Sequence, residues 1–167
     1  GTRADDRRQQ ILSAAGRCFR ESGFHGASIA RISKLAGMSP GHIYHYFENK
    51  EAIIGAIVAQ GLEHRLALTK IFSQVGSARV TLRSHVKDAI SKQLDSDAAA
   101  LRVEIIAEAA RNPRIAKIVQ QADLVARQGL AAAIRDIRMR NGHRDDPGAI
   151  EEMVELFSAL YGGVQLR

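Results

Sequence analysis

At 167 residues, with 46% hydrophobic and 25% charged side chains, the chain can bury the core of one compact domain, or of a small domain plus a larger one. No apolar run approaches the roughly 18 residues a membrane-spanning helix needs, and the polar, charged N-terminus is unlike a secretory leader, so no membrane partner is expected. The single cysteine, Cys18, excludes an internal disulfide and fits a reducing cytoplasm, while a net charge of +6 and a pI near 9.9 suit a polyanionic partner.

From the N-terminus, Ile11, Leu12, Ala15, Cys18 and Phe19 recur at i, i+1, i+4, i+7 and i+8, which predicts a helix from about Asp5 to Ser22 that Gly23 ends. Arg3, Arg7 and Arg8 are either a basic arm or disordered, and the sequence leaves both open. Ser28 reads as the N-cap of a short helix carrying Ile29, Ile32, Leu35 and Ala36 at helical spacing; Gly37 stops it and Met38 plugs the turn. Ser39 and Pro40 then supply a cap and a first-turn proline, and Ile43 and Phe47 point one way along the helix that follows. A longer helix is predicted from near Asn49 to about Gln74, with Ile54, Ile57, Val58, Leu62, Leu66, Ile71 and Phe72 inward, and Gly76-Ser77 breaks it. Further helices are predicted over 79–94, 97–111, 113–140 and 147–167, punctuated by Asn112-Pro113 and Asn141-Gly142. No alternating strand pattern occurs. The expected fold class is all-α.

Two short helices around the turn at residues 36–39 have the dimensions of a helix-turn-helix, whose second helix enters the DNA major groove. Charge agrees with that reading. Residues 1–50 carry eight Lys/Arg against four Asp/Glu, and no acid separates Glu21 from Glu48. That window therefore lacks the carboxylates that would repel phosphate. On the second helix, Ile43 and Phe47 take the buried side and leave His42, His45 and Tyr46 outward, with Tyr44 toward one flank. Imidazole and phenol groups bond phosphates and base edges, and their rings pack on thymine methyls. Gly41 lets the backbone approach a duplex, and Ser28 and Ser39 cap helix N-termini that favour a phosphate.

The stretch SIARISKLAGMSPGHIYHYFENKEAI, residues 28–53, resembles the DNA-binding signature of the TetR (tetracycline-repressor) family of transcription regulators. The matching positions are Ser28, Ile29-Ala30, Ala36-Gly37-Met38-Ser39, Tyr44, Tyr46-Phe47 and Lys50, and the preceding QQILSAAGRCFRESGFHGAS resembles the family's first helix and its Gly-Phe turn. Two departures stand out: Ser28 replaces a frequent Thr, and Tyr46 replaces a frequent His. The resemblance implies that Tyr44, otherwise a core aromatic, contacts the DNA backbone, and the place of Lys50 beside the reading helix suits a phosphate contact better than mere solvation. It also implies an effector that binds among C-terminal helices, shifts the fourth helix and changes the spacing of two reading heads.

Other readings of these residues are weaker. His42 and His45 at i, i+3 lack a neighbouring Cys or carboxylate to complete a metal shell. Cys18 sits on an apolar stripe and reads as core, and His64 with Glu63 does not form a zinc-protease motif. With no nucleophile motif, phosphate loop or metal cluster, neither an enzyme nor a cofactor is expected. Glu104 and Glu108 at i, i+4 are either a salt-bridged face or, with Gln121 and Asp123, the acidic wall of an effector pocket that prefers a cation. Beyond residue 50 the aromatics are Phe72, Phe157 and Tyr161, too few to suggest an aromatic cage.

The expectation is therefore a helix-turn-helix DNA-binding domain over residues 1–48 and a helical effector-binding and dimerisation domain over 49–167. The expected function is a ligand-responsive repressor that binds a palindromic double-stranded operator as a homodimer; the alternative is a helical protein-interaction module with an incidental helix-turn-helix. Ile150, Met153, Val154, Phe157, Leu160 and Tyr161 lie on one side of the last predicted helix, and Gly162-Gly163 would let another helix approach closely. Met153, Phe157, Leu160 and Tyr161 are the expected dimer contacts. Family members run further, so the chain is expected to be incomplete at its C-terminus.

Overall fold

A computed structural model of the chain describes residues 2–73 and 96–164. Among these residues there are seven helices and no strand, so the fold is all-α. They are α1 (Arg3–Gly26), α2 (Ile29–Ala36), α3 (Pro40–Tyr46), α4 (Lys50–Ser73), α5 (Ser96–Ala109), α6 (Pro113–Arg140) and α7 (Pro147–Val164). The helix expected over 79–94, the break at Gly76-Ser77, the inward Phe72 side chain and the close approach at Gly162-Gly163 lie outside the described residues.

Local chemistry sets the helix ends. Thr2 and Asp5 form a capping box: the Asp5 N–H donates to Thr2 Oγ1 at 3.2 Å, and the Thr2 N–H donates to Asp5 Oδ2 at 2.8 Å. The Thr2 N–H bond, joined by one from the Thr2 hydroxyl at 2.9 Å, holds the Asp5 carboxyl below the usual carboxylate range. Arg3, Arg7 and Arg8 lie on α1 and are exposed. Arg7 donates to Gln10 Oε1 at 3.1 Å, and the Arg8 guanidinium lies 5.1 Å above the Phe47 ring. Gly23 interrupts α1 with φ 68° and ψ 172°, the expected stop, and the chain turns there toward α2. Asn49, Asn112 and Asp146 cap α4, α6 and α7 through their side-chain oxygens, which accept from Ala52, Arg114 and Ala149 N–H groups.

The chain forms two compact units. Residues 1–60 and 100–120 make the first, and residues 61–99 and 121–167 the second. The core of the first is the α1 stripe of Ile11, Leu12, Ala15, Cys18 and Phe19, closed by Ile32, Ile43, Phe47, Ile53, Ile54, Ile105 and Ile115. Ile53, absent from the predicted inward set, is fully buried beside Ile54. Leu35 departs from expectation and is exposed. The buried edge of α2 runs through Ile32, Ser33 and Ala36, and Ser33 is tolerated there because its hydroxyl donates to the Ala30 carbonyl at 2.9 Å.

The second unit has a smaller core of Ile134, Ile150 and Val154, with Leu130 and Ala131 against it. At Gly129 the α6 backbone comes so close to α4 that a Cβ would sit 2.7 Å from Leu66 Cδ2. Here α7 differs from its predicted single apolar side. Ile150 and Val154 are buried, whereas Met153, Leu156, Phe157 and Leu160 form a second row that is 37–59% exposed. Spacing explains the split: residues 150 and 154 stack at i, i+4, while 153, 156, 157 and 160 follow their own i, i+3, i+4, i+7 track. Tyr161 is half-buried beneath the Arg65 guanidinium, 5.1 Å from its ring.

Candidate nucleic-acid interface

The α2–turn–α3 segment is built by its caps. Ser28 Oγ accepts from the Arg31 N–H at 3.1 Å, and Ser39 Oγ accepts from the His42 N–H at 3.2 Å. Each hydroxyl remains exposed, with its own O–H still a donor. Gly37 closes α2 in the left-handed region at φ 63° and ψ 35°, and the Met38 N–H reaches back to the Ser33 carbonyl at 2.9 Å. Gln10 of α1 then ties the turn down, its Nε2 donating to the Ala36 carbonyl at 2.8 Å. Sequence reading missed Gln10, because nothing near it in the chain signals a partner 26 positions away.

Ile43 and Phe47 anchor α3 in the core, and Pro40, Gly41, His42, Tyr44 and His45 stay exposed. Three rings on that helix pack together. His42 stacks on Tyr46 at 5.6 Å between centroids, and His45 meets Tyr46 edge-on at 5.2 Å. The tyrosines take different environments: Tyr44 is 56% exposed, while Tyr46 is partly buried against the core. The expected outward Tyr46 is therefore the support for two outward imidazoles, and Tyr44 is the free-standing phenol.

Two basic side chains are tied to α1. Arg31 donates to Glu21 Oε2 at 2.7 Å and to Ser22 Oγ, and a hydrogen bond from Arg17 is the main cause holding the Glu21 carboxyl below its ordinary range. Lys50 Nζ donates to the Phe24 carbonyl at 2.7 Å and lies 4.4 Å above the Phe24 ring. An ammonium has three donors, so this bond still lets Lys50 meet a phosphate.

The residues expected to contact an effector fall in different units. Glu108, in the first, is 1% exposed; its Oε1 accepts from Asn112 Nδ2 at 3.2 Å, and its Oε2 faces His25 Nε2 at 3.3 Å and Arg111 at 3.6 Å. Glu104 is half-buried, its Oε1 3.0 Å from where a Gly23 Cβ would be. In the second unit, Asp123 accepts from both Arg65 Nη atoms at 3.2 and 3.3 Å, and Gln121 is exposed.

A capped two-helix turn on a three-helix core, with a polar aromatic face outward, has the architecture of a helix-turn-helix DNA-binding protein. The comparisons narrow this. Residues 11–57 match the family model for bacterial regulatory proteins of the tetR family. The chain is 35% identical over 162 residues to the HTH-type transcriptional regulator UidR of Escherichia coli, covering 96% of this chain and 81% of that protein. It is 30% identical over 142 residues to the HTH-type transcriptional repressor Rv1474c of Mycobacterium tuberculosis, covering 84% and 71%. Among solved structures it is similar to Salmonella enterica GusR, with a TM-score of 0.79 and 32% identity over 98% of this chain and 84% of that one. The chain belongs to the TetR family of DNA-binding transcriptional regulators, and its relatives are regulators, not enzymes.

Proposed function

We propose that the protein is a repressor that binds a palindromic operator as a homodimer and leaves it when a small molecule binds the C-terminal helices. The observation that carries the dimer is the outer row of α7. Met153, Leu156, Phe157 and Leu160 make a continuous apolar strip, and monomeric proteins seldom leave such a strip uncovered. A two-fold axis through it would pair the row with its own copy, with Tyr161 at its margin, and present two α3 helices to successive major grooves.

On each head, His42 and His45 are the proposed base-reading rings, backed by Tyr46, with Pro40 and Gly41 close to the duplex. Ser28, Ser39, Tyr44 and Lys50 are the proposed phosphate contacts. Gln121 and Asp123 are the proposed effector contacts in the second unit. Glu108 faces His25 and Arg111, and Asp123 is paired with Arg65, so part of the acidic charge that argued for a cationic effector is matched inside the protein.

Replacing Phe157 and Leu160 with Asp tests the reading. The double variant is expected to sediment as a monomer and to lose the symmetric footprint that the wild type leaves on a duplex selected from a randomised pool. A dimer that persists, or a footprint without two-fold symmetry, refutes it.

A further inference from the structure

Three successive residues of the turn that ends α1, after its break at Gly23, each lie against a charged side chain from elsewhere in the first unit. Glu104 Oε1 lies against Gly23, 3.0 Å from the site of a Cβ. Lys50 donates to the Phe24 carbonyl at 2.7 Å and covers its ring. Glu108 Oε2 faces His25 Nε2 at 3.3 Å. The two carboxylates belong to α5, far along the chain from the helix-turn-helix, and the ammonium to the first residue of α4.

Glu108 is the member that packing alone does not explain. Burying a carboxylate is unfavourable unless partners compensate. An apolar side chain at this place in a core of Ile105 and Ile115 would avoid that cost. One oxygen has its hydrogen bond from Asn112, while the other is buried with no aligned donor and looks toward the exposed His25. The Arg111 guanidinium is 3.6 Å from the same oxygen. His25 in turn meets the Phe24 ring edge-on at 5.5 Å, so its position is tied to the residue that Lys50 holds.

We infer that Glu108 is a positioning residue for DNA reading: through His25 it fixes the turn from α1 to α2, and with it the pose of the helix-turn-helix. This rests on the operator-binding reading above. The turn leads directly to Ser28, the cap of α2, so a displacement at residues 23–25 changes where α2 starts and how α3 meets the groove. Neither Glu108 nor His25 touches DNA in this account. Both act by holding the backbone still.

The test uses the full chain and a duplex that the wild type selects from a randomised pool. Glu108→Gln keeps the shape and the Asn112 contact but removes the charge; His25→Ala removes the partner. Each is expected to weaken binding about three- to tenfold, and the double variant no more than the worse single one, because both remove the same contact. His25→Arg returns a donor facing Glu108 to the turn and should restore wild-type affinity. The slope of affinity against salt should not change in His25→Ala; flattening by about one would make His25 a phosphate ligand and overturn the proposal. Losses that multiply in the double variant, or unchanged affinity in His25→Ala, also overturn it. Should Glu108→Gln fail to fold by circular dichroism, the exposed His25→Ala and His25→Arg pair decides the matter. A wild type that selects no sequence defeats the operator-binding reading itself, a result distinct from all of these.

Discussion

Adding one methyl group at Gly37 and at Gly41, four positions apart, should move stability in opposite directions. Gly37 closes α2 at φ 63°, and a Cβ built there meets nothing within 4 Å, so the effect of Gly37→Ala is conformational with no clash. Placing an L-residue in the left-handed region costs about 1–2 kcal/mol. The restricted unfolded chain returns about 0.5 kcal/mol of that. The net loss is about 1 kcal/mol, and it falls on the turn that orients α3. A Cβ at Gly41 also meets nothing within 4 Å, but this residue is the second of α3, where alanine suits the backbone better than glycine. Gly41→Ala should therefore gain about 0.5 kcal/mol, at the low end because the site is in the first helical turn.

Urea unfolding of the two variants, followed by far-UV circular dichroism at one protein concentration, reads a difference of about 1.5 kcal/mol between them. Operator affinity separates them a second time. The methyl of Gly41→Ala projects from the exposed face proposed to approach DNA, so this more stable protein should bind its selected duplex more weakly. If Gly37→Ala were as stable as wild type, or if both variants shifted the same way, the conformational argument would be wrong.

Lys50→Ala should weaken binding alike across duplex sequences and lower the salt slope by about 0.9 per subunit, whereas His42→Ala and His45→Ala should relax base preference by about 1–3 kcal/mol. Sequencing the duplexes each variant selects distinguishes the two behaviours; an unaltered set for both histidine variants would remove them as reading residues. Cys18 is fully buried, and burial pushes its thiol above the usual range, so little reactive thiolate forms near neutral pH. A disulfide reagent should label it only as the protein unfolds, and rapid labelling of the folded chain would contradict its place in the core.

The order of the helices and the turn chemistry between them follow from signals that act within one turn of the chain. Ser28 and Ser39 bond the N–H three residues on, Gly37 adopts the conformation its neighbours avoid, and Ile43 and Phe47 fall four apart on one face. These interactions need nothing distant, which is why residues 28–50 already announce a helix-turn-helix. The environments of individual side chains had to await packing. Helical geometry sets Tyr44 and Tyr46 about 80° to either side of the Ile43–Phe47 direction, so periodicity alone cannot say which is covered. Only the position of the core makes Tyr46 the support and Tyr44 the exposed phenol. The α7 stripe divides the same way, because one residue-level pattern holds two tracks and only Ile134 and its neighbours select which is buried. Glu108 is the plainest case. Its i, i+4 spacing with Glu104 marks a helix face but carries no information about His25, and a charge is buried there because chain segments far apart in sequence converge on one turn.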